Sequence, residues 1–376
     1  MILLSILLFG TYTVLILSFV VGFDKVPVFH RNLTMPEKSN FSIVIPYRNE
    51  VENLPILLDS IKQLKYNKEK FEILLVDDSS EDASVELLKK FQIDNPNIKL
   101  SLLKNIRNSN SPKKDAIQTA ITKAKFEWII TTDADCLIPE NWLKTFDSYI
   151  QNLNPKMLIA PVSYFQSNTF LSQFQILDFL SLQGSTIGGF GIKKPFLCNG
   201  ANLCYAKSAF ETVHAFQGND SIASGDDIFI LEKMLQRYPK EVFYLKSEEC
   251  IVKTNPLKTV KALLQQRIRW ASKTSAYQDN FGKIMGLVVF TTNLYLLFLL
   301  VMAFMQYVNW MHIGLAFIVK FNVDFLLLYK TASFFKQETV LKNYFLSSLI
   351  HPFFIAFTAI LSFGKGYQWK GRNFTK

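Results

Sequence analysis

The sequence predicts an α/β domain built on a mostly parallel sheet, with transmembrane helices at both ends. Three observations predict it. Between residues 40 and 165, short apolar runs alternate with helix-like stretches, the order that parallel strands joined by crossover helices require. Those runs lack the every-second-residue polarity of a half-exposed strand, so both sheet faces are covered. Uncharged stretches of about 20 residues stand before and after the domain, the length that crosses a bilayer at about 1.5 Å per helical residue.

The first such stretch, residues 1–22, reads as an anchor. A cleaved leader would carry its basic residues first and small residues at the cut. Here the positive residues follow the stretch, at Lys25, Arg31 and Lys38. That charge order places the N-terminus outside and the next domain, residues 40–282, in the cytoplasm, as at a bacterial inner membrane. Strands are expected at "FSIVIPY" (41–47), "FEILLVDD" (71–78), "IKLSLLK" (98–104), "WIITTDAD" (128–135) and "MLIAPVSY" (157–164). Helices are expected over 50–65, 83–91 and 113–125, and from about 139. Residues 166–282 are less regular, and "FLSQFQILDFLSLQG" (170–184) reads as a helix that is either buried or lies on the membrane surface. Residues 283–365 form a C-terminal membrane region. Its clear span is 284–305, and a second runs over 310–329 with Lys320 and Asp324 spaced to pair. The third stretch, 344–363, carries His351 and Pro352 at its middle. A proline there removes a helix hydrogen bond, so a break is expected, leaving the stretch re-entrant or interfacial; the alternative is a kinked but complete third span.

Composition narrows the partners. The chain is 49% hydrophobic with a net charge of +10, which suits a membrane surface or a phosphorylated substrate. The basic residues are scattered and no nucleic-acid motif occurs, so no nucleic-acid partner is expected. Four cysteines without a C-x-x-C pair suggest reduced, structural thiols.

The chemistry is expected from acids at the strand ends, since ligands of open parallel sheets bind beyond the carboxyl edge. Asp133 and Asp135 would point the same way along a strand. They form a solvated turn with a helix cap or the ligands of a divalent metal. Asp77 and Asp78 either contact a nucleotide or cap the helix that follows. Lys113 or Lys114, opening a helix of the same half, reaches a phosphate or is a solvated pair. Gly200 and Ala201 permit close backbone approach by a substrate, or form a plain loop. Asp226 and Asp227 precede a helix as caps, or one of them is a general base. Gln266, Arg269 and Trp270 share a helix face on which guanidinium suits a diphosphate and indole a sugar or base. The alternative for this set is an anchor at the membrane interface.

Taken in order, the D-D, the D-x-D, the later D-D and Q-x-x-R-W ahead of membrane spans resemble the membrane-bound inverting glycosyltransferases of family 2, such as cellulose synthase, hyaluronan synthase and ceramide glucosyltransferase. The resemblance covers about residues 40–282 and the arrangement of spans. It implies a nucleotide-diphospho-sugar transferase (GT-A-like) fold. It also implies a nucleotide-sugar donor, with uridine (a UDP-sugar) as the base, and a lipid or polysaccharide acceptor. Asp77 and Asp78 would contact the nucleotide, and Asp133 and Asp135 would bind Mg2+ or Mn2+ with the diphosphate. Lys113 matches the family's lysine, with Pro112 where the family has glycine. Asp227 falls on the catalytic base, while Gly225 and Asp226 replace the first two letters of that motif. Gln266, Arg269 and Trp270 match letter for letter. A lipid acceptor is favoured slightly by the small number of spans. Competing readings are a two-metal phosphatase or nuclease, which also gathers aspartates, and a non-catalytic membrane scaffold.

Overall fold

A computed structural model describes residues 1–219, 222, 224–273, 276–364, 366–370 and 372–374. Along the chain the elements run α1 (Ile2–Lys25), β1 (Phe41–Tyr47), α2 (Leu54–Lys62), β2 (Phe71–Asp77), α3 (Ser84–Asp94), β3 (Leu100–Lys104) and α4 (Pro112–Lys123). Then come β4 (Trp128–Thr131), β5 (Cys136–Leu137), α5 (Trp142–Leu153), β6 (Met157–Ile159), β7 (Val162–Tyr164) and α6 (Phe170–Gly191). They are followed by β8 (Leu203–Ala206), α7 (Lys207–Thr212), α8 (Asp226–Arg237), β9 (Val242–Tyr244), β10 (Val252–Thr254) and α9 (Val260–Ala271). The chain closes with α10 (Asn280–Phe304), α11 (Trp310–Phe334), α12 (Tyr344–Gly364) and the strands β11 (Tyr367–Trp369) and β12 (Arg372–Phe374). These elements form two compact units, an α/β unit (Pro27–Phe165 with Cys198–Asn255) and a helical unit (Met1–Val26, Gln166–Leu197 and Pro256–Lys376). The helices α6 and α9, inside the 40–282 boundary read from the sequence, thus group with the apolar helices.

In the α/β unit a seven-stranded sheet has the order β3-β2-β1-β4-β8-β6-β9. β1, β2, β3 and β4 pair in parallel, as expected from their unbroken apolar runs. Ile43, Val44, Ile45, Ile73, Leu75, Ile129 and Ile130 are fully buried, each worth about 1.5–3 kcal/mol of transfer free energy. β8 pairs antiparallel with both β4 and β6. This strand lies in a stretch read from the sequence as a close-approach site or loop. Two further expectations are corrected. "MLIAPVSY" is two strands, because Pro161 cannot donate to a central ladder; β6 joins the large sheet and β7 a second sheet with β5 and β10. β4 ends at Thr131, so Asp133 and Asp135 lie in the turn before β5 and not on a strand.

In the helical unit, the described residues hold four helices long and apolar enough to cross a membrane, over Ile2–Lys25, Asn280–Phe304, Trp310–Phe334 and Glu338–Ser362. α1 and α6 cross at glycines: a Cβ on Gly191 would stand 1.8 Å from the Gly22 carbonyl oxygen, and one on Gly22 would stand 2.2 Å from that of Gly188. α6 is therefore a buried helix of this unit, with its Gly184 also against Leu327 and Thr331 of α11. Lys320 and Asp324 pair as the spacing predicts, at 2.5 Å. Tyr12 of α1 donates its hydroxyl to the same carboxylate at 2.6 Å, so the pair bridges two helices. The break expected at Pro352 is absent: α12 is one helix with the proline inside it. Apolar helices tolerate such a proline where neighbours and local adjustment satisfy the freed carbonyl.

Candidate active site

The carboxyl edge of the parallel strands is built by short connections that carry the polar residues. After β2, Asp77 accepts the Ser80 amide N–H at 3.0 Å, which shapes the turn. Asp78 is buried. Its Oδ1 accepts from Asn105 Nδ2 at 2.7 Å and from Arg107 Nη1 at 3.2 Å. Asn105 also donates to the Pro112 carbonyl at 3.0 Å, joining Asp78 to the first turn of α4. Arg107 further contacts Asp115 at 3.4 Å, and Asp115 accepts the amide N–H groups of Asn108 and Ser109.

α4 begins at Pro112, a residue suited to the first helical turn because its missing N–H has no partner there. Its next two residues, both lysines, point to different places. Lys113 reaches Asp133 Oδ1 at 2.7 Å and Asp226 Oδ2 at 3.5 Å. Lys114 is buried, donating to the Asn219 carbonyl and Oδ1 at 2.7 and 2.8 Å, with its ammonium over the Phe229 ring. Burial by itself lowers the Lys113 pKa, but Asp133, Asp226 and Asp227 outweigh it and hold the ammonium above the ordinary lysine value. Lys113 therefore stays charged at neutral pH.

Gly200 sits under this cluster. Its N–H donates to Asp227 Oδ2 at 3.1 Å, and its carbonyl accepts from Thr131 Oγ1 at 3.0 Å. A Cβ at this position would lie 3.1 Å from Asp226 Oδ2 and 3.3 Å from Lys113 Nζ. A larger residue would press on both groups, which would have to give by a few tenths of an ångström. Asp226 and Asp227 open α8 after Gly225, whose φ of 86° is left-handed and suits glycine. Asp227 also accepts the Ile228 N–H at 2.9 Å. The α/β unit thus gathers Lys113, Asp133, Gly200, Asp226 and Asp227.

Asp135 takes a contact from Cys136 Sγ at 3.7 Å, two residues from Asp133 in the same turn. Burial, then Asp135 and Asp133, push the Cys136 thiol well above its usual pKa, which makes it inert. The turn presents two carboxylates, the hard oxygen donors that Mg2+ and Mn2+ take. Among the described residues no three His, Cys, Asp or Glu side chains form a metal cluster. Mg2+ commonly takes much of its coordination from substrate oxygens and water, so a cation held by two carboxylates would complete its shell with those.

Gln266, Arg269 and Trp270 lie on α9, in the helical unit. They are half-buried, whereas Leu263, Arg267 and Ile268 form the helix's buried face. The sequence reading missed Asn105, Arg107, Asp115 and Arg267. The spacing of Arg107 and Asp115, on either side of a turn, holds a faint signal. Asn105 and Arg267 hold none, because the carboxylates they meet, Asp78 and Asp178, are distant in sequence.

Two family models match the chain: Glycosyl transferase family 2 over residues 42–213 and Glycosyl transferase family group 2 over residues 128–330. The chain is a family 2 glycosyltransferase. This membership removes the phosphatase, nuclease and scaffold readings. Among its relatives, glycosyltransferase AglE of Haloferax volcanii is 25% identical over 185 residues, 49% of this chain and 58% of that protein. The undecaprenyl-phosphate 4-deoxy-4-formamido-L-arabinose transferase of Proteus mirabilis is 35% identical over 107 residues, 28% of this chain and 32% of that one. The glycosyltransferase thus matches little more than half of the one relative and a third of the other. The mannosyltransferase PcManGT from Pyrobaculum calidifontis, solved with GDP-Man and Mn2+, superposes with a TM-score of 0.57 at 15% identity, covering 96% of this chain and 98% of that one. That likeness shows the shared GT-A-like fold of the glycosyltransferase.

Proposed function

We propose that this glycosyltransferase moves a sugar from a nucleotide-sugar, a UDP-sugar on the family resemblance, to a lipid-linked acceptor with inversion at the anomeric carbon. The observation that carries the reading is the gathering of Lys113, Asp133, Asp226 and Asp227 over Gly200 at the strand ends. Asp77 and Asp78 bind the nucleoside, with Asp78 held in place by Asn105 and Arg107. Lys113, kept cationic by its three carboxylates, faces the negative charge of the diphosphate. A Mg2+ or Mn2+ ion held by Asp133 and Asp135 supplies further neutralisation of that leaving group when bound. Asp227, oriented by the Gly200 and Ile228 N–H groups, takes the proton of the acceptor's attacking oxygen, a lipid hydroxyl or the P–OH of a lipid phosphate. Attack from the face opposite the leaving group inverts the centre. On the resemblance, Gln266, Arg269 and Trp270 serve the diphosphate and the sugar. The lipid acceptor is supported by the relative named for undecaprenyl phosphate and by the candidate spans.

A cytoplasmic site is supported by charge at one end of the helical unit. Lys25, Lys193, Lys194, Lys283 and Lys330 lie at helix ends there, and Lys330 pairs with Asp24 at 2.8 Å. The opposite end of α1 is uncharged in side chains, the asymmetry of the positive-inside rule. The test is a screen of nucleotide-sugars on purified protein with native lipid extract, with and without chelator, followed by product mass. A lipid carrying one sugar is expected. A ladder of sugars would move the reading to a processive polysaccharide synthase, and release of no nucleoside diphosphate from any donor would refute it.

A further inference from the structure

The buried face of α9 carries a charge, Arg267, that lies outside the carboxylate cluster at the strand ends. Arg267 and Asp178 of α6 are each 7% exposed in their side chains and meet at 2.7 Å through Arg267 Nε. His351 Nε2 of α12 lies 3.5 Å from the other oxygen of Asp178. An ion pair is costly to desolvate, and an apolar pair of similar volume generally stabilises as well or better. Stability alone therefore does not explain its presence.

The remaining contacts of Arg267 suggest what does. Its Nη1 donates to the side-chain oxygen Oε1 of Gln266, and its guanidinium lies 4.2 Å over the Trp270 ring. One arginine thus holds two of the three residues of the Q-x-x-R-W motif. The Trp270 ring also packs on Phe179, the neighbour of Asp178, at 6.3 Å between centroids. With Oε1 turned to Arg267, the Gln266 NH2 group, a donor, is left on the opposite side of the amide to meet a ligand. A donor suits the oxygen-rich diphosphate or sugar hydroxyls.

We propose that Arg267, fixed by Asp178, is a positioning residue: it orients Gln266 with its NH2 group toward the donor substrate and sets the plane of the Trp270 ring. This rests on the proposed role of the motif in nucleotide-sugar transfer. Asp178 holds the Nε edge of the guanidinium, and the fork then presents Nη1 to Gln266 and its flat face to Trp270. Lysine has neither the fork nor the plane.

The test replaces the pair with Asp178→Leu/Arg267→Met in the full chain, in detergent with lipid vesicles containing undecaprenyl phosphate. Turnover is followed with UDP-glucose, UDP-N-acetylglucosamine and GDP-mannose. Melting temperature should stay at or above that of the wild type, while kcat falls at least about tenfold because the reacting groups are misplaced. Acrylamide quenching of Trp270, taken as the difference from Trp270→Phe, should rise. A double variant with wild-type kcat and quenching would overturn the proposal, since the pair would then be structural only. If the double variant does not fold, Arg267→Lys decides: it keeps the charge opposite Asp178 and should still lose about tenfold in kcat, and wild-type turnover overturns the proposal. Full activity of both Gln266→Ala and Trp270→Ala would overturn it at its base, by removing the role of the motif itself.

Discussion

Gly200→Ala adds one methyl group to the most crowded point of the candidate site. The new Cβ would stand 3.1 Å from Asp226 Oδ2, 3.3 Å from Lys113 Nζ and 3.5 Å from Asp227 Cβ. The first two are tighter than ordinary van der Waals contact, so the carboxylate and the ammonium must retreat by a few tenths of an ångström. Gly200 opens a short 3-10 turn outside the left-handed region, so alanine brings no backbone strain. Overpacking costs about 1–3 kcal/mol, and the stiffer unfolded chain returns about 0.4–1 kcal/mol. The net loss is about 1 kcal/mol, or about 2–4 °C in melting temperature for a unit of this size. Activity should suffer far more, because the displaced groups include Lys113, proposed to face the leaving group, and Asp226, the neighbour of the proposed base. A shift of this kind costs about 10–100-fold in kcat. The assay is nucleoside diphosphate release beside a melting curve, with Gly314→Ala as control, since nothing lies within 4 Å of a Cβ there. Turnover of Gly200→Ala within twofold of the wild type would refute the reasoning.

Asp227→Asn is nearly isosteric and keeps an oxygen for the Gly200 N–H, so nucleotide affinity should survive while kcat falls at least about a hundredfold; collapse of nucleotide binding would assign Asp227 to the donor site. Gly191→Ala cannot be accommodated without parting α1 from α6, because its Cβ would meet the Gly22 oxygen at 1.8 Å. A loss of about 3 kcal/mol is expected, and an unchanged melting temperature in detergent would contradict the crossing. Burial raises the Asp178 carboxyl pKa, but Arg267 and His351 pull it down further, from 3.8 to about 2. A depressed carboxylate stabilises the fold above its unfolded pKa and loses that contribution as pH falls through the folded one, so melting temperature should drop between about pH 4 and 2. A variant carrying Asp178→Asn and Arg267→Gln together should lack that drop, and an identical acid limb would disprove the assignment. The hairpin of β11 and β12 has its first strand against α9, so the tail is expected on the side of the membrane that carries α9. Lys370→Cys in a cysteine-free background should react with an impermeant maleimide only after permeabilisation, and labelling of intact cells would place the tail outside.

Much of the fold was legible because parallel strands advertise themselves. β1 and β2 are seven-residue, mostly apolar runs buried on both faces, the pattern that central strands of a covered parallel sheet need, and the turn residues that bound them mark them as strands in place of helix segments. β8 was not legible. Its four residues, "LCYA", lie between a 3-10 turn and α7, and its antiparallel place in the sheet depends on partners at 128–131 and 157–159. Yet that insertion brings Gly200 beneath the acids. The pair Lys113 and Lys114 makes the same point locally. The two are identical in sequence terms, and successive helical positions differ by about 100° in direction. One therefore meets Asp133 and the other is buried against Asn219.

The motif residues divide in the same way. Gln266, Arg269 and Trp270 could be picked out because chemistry that needs a guanidinium and an indole on one helix face writes them at fixed spacing. Arg267 stands inside the same five letters and carries no signal of its own, since its anchor is Asp178, 89 positions earlier. Residues that touch a ligand are constrained by the ligand, and their types betray the chemistry. Residues that orient them are constrained by whatever neighbour the fold supplies, so an arginine serves here and a leucine would serve elsewhere. The supporting layer of a site therefore becomes visible only once distant segments have been brought into contact. In the role proposed for it, the buried charge of Arg267 belongs to that layer: its direction toward Gln266 and Trp270, and not its burial, is what would offset the desolvation of the pair.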